Sequence, residues 1–239
     1  MISTRIYSWA RVQPDKTAVV HNGVGTSYAA LAGAIHSSTE YLRRHKLPPG
    51  ETAIVVIHNL LDCNVVCMAL RSLGLNTLCV KSAEVLPELA LSNISCIIGT
   101  TADVEWLQGA PEEWGCNTIL TIPIPDYGNP IPVGSEHDET NFPPGGHIAY
   151  TSGTTGKYKK LFFSGEQQQQ RDTERRHSNN YSPDTRYYCG NFGLWTGIGY
   201  KIPQTTWYAG GCVILDQRPD WHRLFLDSLR LCQRAGMVK

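Results

Sequence analysis

The chain has no excess charge of either sign: lysine plus arginine and aspartate plus glutamate number 21 each among 239 residues. This parity excludes the bulk electrostatic footprint of a protein that binds nucleic acid or an anionic membrane, because both partners select a basic surface. Long apolar runs are missing too. Ala53–Ile57 and Val65–Leu70 are the longest, far below the roughly 20 residues that cross a bilayer, so no membrane partner is expected. Arg5, Trp9 and Arg11 interrupt the opening residues, leaving no apolar core of the kind a secretory signal requires. A reducing cytoplasm is therefore the expected location.

Several chemical signatures are absent as well. No HExxH, HxxxH or G-x-S-x-G occurs, which removes the common zinc-hydrolase and serine-hydrolase readings. There are eight cysteines but no CxxC pair. Cys63 and Cys67 are four apart, and Cys79, Cys96, Cys116, Cys189, Cys212 and Cys232 are scattered through apolar runs. That spacing predicts no metal site and no disulfide framework, only small buried hydrophobes in a reduced protein.

With 41% hydrophobic and 18% charged residues, the composition fits a folded protein with a buried core. The first half alternates strand-like and helix-like segments. Thr17–His21 reads as a strand, Gly23 and Gly25 as the turn after it, and a helical pattern begins at Ser27. Thr52–His58 is a continuous apolar run suited to a strand covered on both faces. Leu61–Leu73 has helical spacing and stops at Gly74. Asn76–Lys81, Ser95–Gly99 and Asn117–Ile122 are further strand candidates, with a helix near Glu84–Leu91. Strands alternating with helices predict an α/β fold with a layered, mostly parallel sheet. Six prolines and four glycines between Pro123 and Gly146 mark a connector. The expected organisation is thus a first α/β subdomain over 1–122, a connector over 123–146, and a strand–turn segment opening a second α/β subdomain over 147–239.

Within that last part, Ser164–Ser182 is almost wholly polar. Ser164 with Gln167 matches a capping box, yet a helix there has no apolar stripe to bury, which predicts a solvated, partly mobile helix. Pro219–Ala235 is an amphipathic helix candidate ending at Gly236, with Met237-Val238 opening another strand.

The stretch richest in chemistry is Tyr150-Thr151-Ser152-Gly153-Thr154-Thr155-Gly156-Lys157, which follows the strand candidate His147–Thr151. Glycines bring backbone N–H groups close to an anion, hydroxyls donate to phosphate oxygens, and lysine adds a point charge. A strand leading into such a loop suits a triphosphate. The bland alternative is a Gly/Thr-rich hairpin between His147–Thr151 and Lys159–Phe163. A Walker A loop is excluded, since two residues rather than four separate Gly153 from Gly156 and Tyr158 follows Lys157.

Here the sequence resembles the AMP-binding, adenylate-forming superfamily of acyl-CoA synthetases, luciferases and peptide-synthetase adenylation domains. The family's phosphate loop reads YTSGTTG-K-P-K-G; this chain has Tyr150–Lys157 intact, then Tyr158, Lys159 and Lys160. Pro14–Ala18, Thr26–Leu31, Gly50–Ile54, Asn59, Ala69–Gly74 and Tyr208–Leu215 are similar to further family stretches, in family order. The resemblance implies two-step chemistry, in which a carboxylic acid attacks ATP to give acyl-AMP and pyrophosphate, and CoA or a carrier phosphopantetheine then accepts the acyl group. It implies ATP with Mg²⁺ as the cofactors and Thr151, Ser152, Gly153, Thr154, Thr155, Gly156, Lys157 and Lys159 as the phosphate site. Phe192, Gly193 and Trp195 lie in a segment that helps wall the family's acyl pocket.

Three departures qualify the resemblance. Tyr158 replaces proline, Lys160 replaces glycine, and Glu166–Asn180 is more polar than the family's counterpart. The family's adenine-contacting and ribose-binding motifs and its catalytic lysine lie downstream of Lys239, so no catalytic residue is assigned. The expectation is a fragment inactive on its own; a non-catalytic nucleotide-binding remnant and a non-nucleotide interaction module are the alternatives.

Overall fold

The computed structural model describes residues 1–81, 85–103, 116, 118–129, 143–152 and 158–219. Helix α1 (Ile2–Val12) precedes strands β1 (Thr17–His21) and β2 (Val24–Ser27) and helix α2 (Tyr28–Arg43). There follow β3 (Thr52–Val55), α3 (Leu60–Ser72), β4 (Asn76–Cys79), α4 (Leu86–Leu89), β5 (Ile94–Thr100) and β6 (Ile119–Ile122). After the connector come β7 (His147–Ser152), β8 (Tyr158–Phe163), α5 (Gly165–Ser178), β9 (Arg186–Gly190), α6 (Gly197–Tyr208) and β10 (Cys212–Leu215). The helix candidate Pro219–Ala235 and the strand after it lie outside the described residues, save Pro219.

The strands form two sheets. The smaller has the order β2-β1-β10-β9, and the larger β6-β5-β3-β4-β7-β8. All neighbours are parallel except the hairpins β1–β2 and β7–β8. Each sheet therefore takes strands from both sides of 123–146. The connector is a break in composition that the sheets do not follow, because parallel pairing is non-local.

Helix α3 lies between the sheets. Leu60, Leu61, Val65 and Met68 join a core with α1, α2 and the smaller sheet, whereas Cys63, Val66, Cys67, Ala69 and Leu70 pack on β3, β4 and β5 of the larger one. All of its residues are buried. Asn59 caps it, its Oδ1 accepting from the N–H groups of Leu61 at 2.9 Å and Asp62 at 3.1 Å. Gly74, at φ +84°, ends it in the left-handed conformation expected of a glycine after a helix. A third core covers the far face of the larger sheet with Ile54, Val56, Leu78 and Ile97 against Leu86 and Leu89.

Four local expectations change. Gly25 lies inside β2, and the turn is made by Asn22 and Gly23, both with positive φ. The first-half strands and helices otherwise appear within a few residues of their expected ends, but α1, β9 and α6 had no clear periodic signal. Ser164 heads α5 without a side-chain cap bond, so the capping box does not form. Finally, α5 is an ordered helix. It buries Gln168 and Asp172 rather than an apolar stripe: Gln168 Nε2 donates to both Asp172 oxygens at 3.0 Å, and Thr205 Oγ1 of α6 donates to Asp172 Oδ1 at 2.8 Å. Buried hydrogen bonds to Asp172 replace the missing apolar contact, although Gln168 Oε1 has no partner among the described residues.

Candidate functional site

The octet lies on the β7–β8 hairpin. Its strands pair from His147↔Phe163 to Ser152↔Tyr158. Gly153, Thr154, Thr155, Gly156 and Lys157 lie outside the described residues; Thr151, Ser152 and Lys159 are on the flanking strands. The turn leaves β7 at its carboxyl end, the side of a parallel sheet where ligands gather.

Beside the hairpin is a cleft of about 460 Å³ lined by Lys81, Val85, Tyr150, Thr151, Tyr158, Trp195 and Thr196. Tyr150 is its back wall. Its ring meets Tyr158 edge-on at 5.5 Å, its hydroxyl accepts from the Lys81 N–H at 3.3 Å, and its own N–H donates to Trp195 O at 2.9 Å. Burial pushes the Tyr150 hydroxyl pKa up, keeping it protonated. The Trp195 backbone is fixed by the turn before α6: Thr196 Oγ1 donates to Gly193 O at 3.0 Å and accepts from the Gly199 N–H at 2.9 Å. A Cβ on Gly193 would fall 2.0 Å from the Trp195 ring, so only glycine admits the indole here.

Of the residues expected to wall an acyl pocket, only Trp195 faces this cleft. Gly193 supports it from behind, and Phe192 is 55% exposed and not among the lining residues. Sequence reasoning missed Lys81, Val85 and Thr196, which β4 and the turns after β4 and β9 bring to β7. It also missed the strut behind them. His147, fully buried, places Nε2 2.8 Å from Leu194 O and Nδ1 2.8 Å from Thr77 Oγ1, and stacks on Tyr200 at 4.1 Å. Because a carbonyl only accepts, Nε2 carries the proton and Nδ1 accepts from Thr77. Burial pushes the His147 pKa down to about 4, so the ring stays neutral.

A second polar cluster joins the sheets. At the ends of β3 and β5, where the strand order reverses, Asp103 Oδ1 lies 2.9 Å from His58 Nδ1 while its Oδ2 accepts from Thr100 Oγ1 at 2.6 Å. Gln217, after β10, donates to His58 O at 2.7 Å, accepts from the Leu60 N–H at 2.8 Å and meets His21 Nε2 at 3.0 Å. These partners are distant in sequence and carry no local motif.

Compared by sequence, the chain matches no family model and no curated protein. Compared by structure, it is similar to the inhibitor-bound N-terminal domain of FACL13 from Mycobacterium tuberculosis, with a TM-score of 0.71 at 16% identity, over 93% of this chain and 58% of that one. It has the fold of the N-terminal domain of the adenylate-forming enzymes. O-succinylbenzoate coenzyme A synthetase (MenE) from Bacillus subtilis, in complex with AMP, gives 0.67 at 18% identity over 96% of this chain and 58% of that one. The AMPPNP-bound nonribosomal peptide synthetase FmoA3 gives 0.67 at 17% identity over 90% of this chain and 22% of that one. These neighbours are AMP-binding superfamily ligases, and this chain spans between 22% and 58% of their length.

The cleft has the dimensions of a small-molecule site. Its volume is within the roughly 300–1,000 Å³ of small-molecule sites, and it offers an ammonium, two threonines and aromatic faces. Among the described residues no carboxylate lines it. Among the described residues no helix is long and apolar enough to cross a membrane.

Proposed function

We propose that this chain is the phosphate-holding front part of an ATP-dependent ligase that activates a carboxylic acid as its acyl-AMP, with CoA or a carrier phosphopantetheine as the acceptor. One observation carries the reading: the Tyr150–Lys157 octet begins at the carboxyl end of β7, which pairs parallel with β4, in a fold whose neighbours include AMP- and AMPPNP-bound structures. In this reading Thr151, Ser152, Gly153, Thr154, Thr155, Gly156, Lys157 and Lys159 hold the β- and γ-phosphates with Mg²⁺. Positioning and charge neutralisation then keep the departing pyrophosphate in place. Trp195, propped by Gly193, forms a wall of the acyl side, and Phe192 lies at its edge.

Calorimetry with Mg-ATP tests the loop. Charge-assisted hydrogen bonds contribute about 1.5–3 kcal/mol each, so Thr154→Ala with Lys157→Ala should weaken binding at least tenfold. Unchanged affinity in the double variant defeats the assignment. ATP–pyrophosphate exchange over a panel of carboxylic acids tests the rest. The family's adenine, ribose and catalytic-lysine motifs are not among these 239 residues, so the chain alone should bind nucleotide without exchange. Exchange that Lys157→Ala abolishes would instead make it a self-sufficient enzyme.

A further inference from the structure

Cys63 and Cys67 lie one turn apart on α3, and Cys79 ends β4 directly beneath them. The helix period and the strand register, neither visible in the spacing of cysteines along the chain, bring the three sulfurs together. Cys79 Sγ is 3.4 Å from Cys63 Sγ and 3.2 Å from Cys67 Sγ, and all three sulfurs lie within 4.8 Å of one another. Each residue is 1% exposed. Around one ion with metal–sulfur bonds of about 2.3 Å, sulfurs sit about 3.8–4.0 Å apart. Closing on an ion therefore asks the two short pairs to open by roughly half an ångström.

The surroundings narrow the choice of ion. His147 acts electrostatically on Cys67 and Asp103 on Cys63, but both His147 nitrogens are committed, to Thr77 and Leu194, and Asp103 is held by His58 and Thr100. Zinc in structural sites is almost always four-coordinate, so three sulfurs without a fourth ligand disfavour it. Soft thiolate sets select Cu(I) among the ions that such donors take. Charge is the second constraint, because a buried complex is stable only near neutrality. One turn beyond Cys67 stands Arg71, 2% exposed. Its Nε donates to Gly145 O and its Nη1 to Gln204 Oε1, both at 3.3 Å, and it lies over the Tyr200 ring at 5.2 Å. Among the described residues no carboxylate is within 4.0 Å of it. The core thus holds a cation one helical turn from three thiols; the buried Asp172 carboxylate feels its charge but is itself paired with Arg175 at 3.4 Å.

We propose that Cys63, Cys67 and Cys79 form a buried three-sulfur site for one Cu(I) ion. Cu⁺ replaces the protons of two thiols, which pass to solvent, and binds the third sulfur as the thiol. The resulting complex carries one negative charge, which Arg71 balances. Copper keeps its oxidation state, so no oxidant or reductant is needed. The three cysteines share a core with the hairpin residues Ala149 and Phe163 but are not among the residues lining the cleft, and the proposal does not rest on the nucleotide reading.

The test uses the reduced 239-residue chain, refolded without oxygen, with Cu(I) titrated against a chromophoric chelator. One equivalent should be withdrawn, and X-ray absorption should count three sulfurs on the copper. Cys67→Ala and Cys79→Ala remove direct ligands, so their loss should exceed the roughly 10–100-fold typical of outer-shell partners. Cys96→Ala, at a buried thiol outside the cluster, should bind as the parent does. Circular dichroism checks that each variant folds; if the ligand variants do not, the sulfur count on the parent decides. No uptake against the chelator, fewer than three sulfurs, an equal loss in Cys96→Ala, or tighter binding of Zn(II) than of Cu(I) would each overturn the proposal.

Discussion

Helices α3 and α5 are of nearly equal length and are held by opposite means. Every residue of α3 is buried, mostly as aliphatic surface divided between two cores. Of α5 only Gln168 and Asp172 are buried, and hydrogen bonds to α6 and within the helix secure it. Burial is non-directional and scales with area, so α3 tolerates rearrangement but not loss of volume. A polar anchor has little area and exact partners, so α5 depends on one side chain and on that side chain's proton.

Cutting volume from α3 should have the largest effect. Leu70→Ala, at a fully buried site, should lower unfolding free energy by about 2–5 kcal/mol in urea titration. Asp172→Ala should come next. It leaves Gln168 without its partner and deprives Thr205 of one of two acceptors, costing about 1–3 kcal/mol. Hydrogen exchange should place that loss in α5 and α6 and leave α3 as protected as before. Equal deprotection of α3 would mean that the two helices are one cooperative unit and the contrast is false.

Acidity sharpens the same contrast. Burial pushes the Asp172 pKa above that of an ordinary carboxylate, and its contacts with Thr205, Arg175 and Gln168 offset this only in part. The folded chain therefore holds this proton longer than the unfolded one, and the contribution of Asp172 to stability falls as pH rises from the ordinary carboxylate value to the raised one. Asp103, in the cluster between the sheets, behaves oppositely. Burial raises its pKa, but hydrogen bonds from Thr100 and His58 outweigh this and hold it low. Its stabilisation is complete above the ordinary carboxylate value and is lost as pH falls through the lowered one. Thermal melts over roughly pH 3 to 7 should show Asp172→Asn removing a decline on the alkaline side of the ordinary value and Asp103→Asn removing one on the acid side. The smallest effect belongs to the outer face of α5. Glu174→Ala removes a single i,i+4 contact with Gln170 and should change stability by no more than about 0.5 kcal/mol.

Much of the fold was legible because its signals are local. Thr52–His58, the run from Leu61, and Gly74 announce a covered strand, a helix and its stop within a few residues each. The glycines, hydroxyls and lysine of the octet were legible as a motif for the same reason, since they are contiguous, and the proposed phosphate site rests on them. The rest of the site was not. Lys81, Thr196 and Trp195 reach Tyr150 only through the β4–β7 pairing and the turn before α6, and nothing within one segment links them. The polar helix misled because periodicity records apolar faces, and α5 buries amide and carboxylate groups.

Local chemistry thus determined on its own the alternation of strands and helices and the polarity of the 164–182 stretch, and it set glycines, hydroxyls and a lysine side by side in Ser152–Lys157. Tertiary structure alone decided that β10 enters between β1 and β9, that α3 is covered on both sides, and that α5 is held by Asp172. It also decided that three cysteines scattered over 17 residues converge to within 4.8 Å. The physical reason is range: backbone propensity and periodicity act over a few residues, whereas parallel pairing and burial bring together groups hundreds of residues apart.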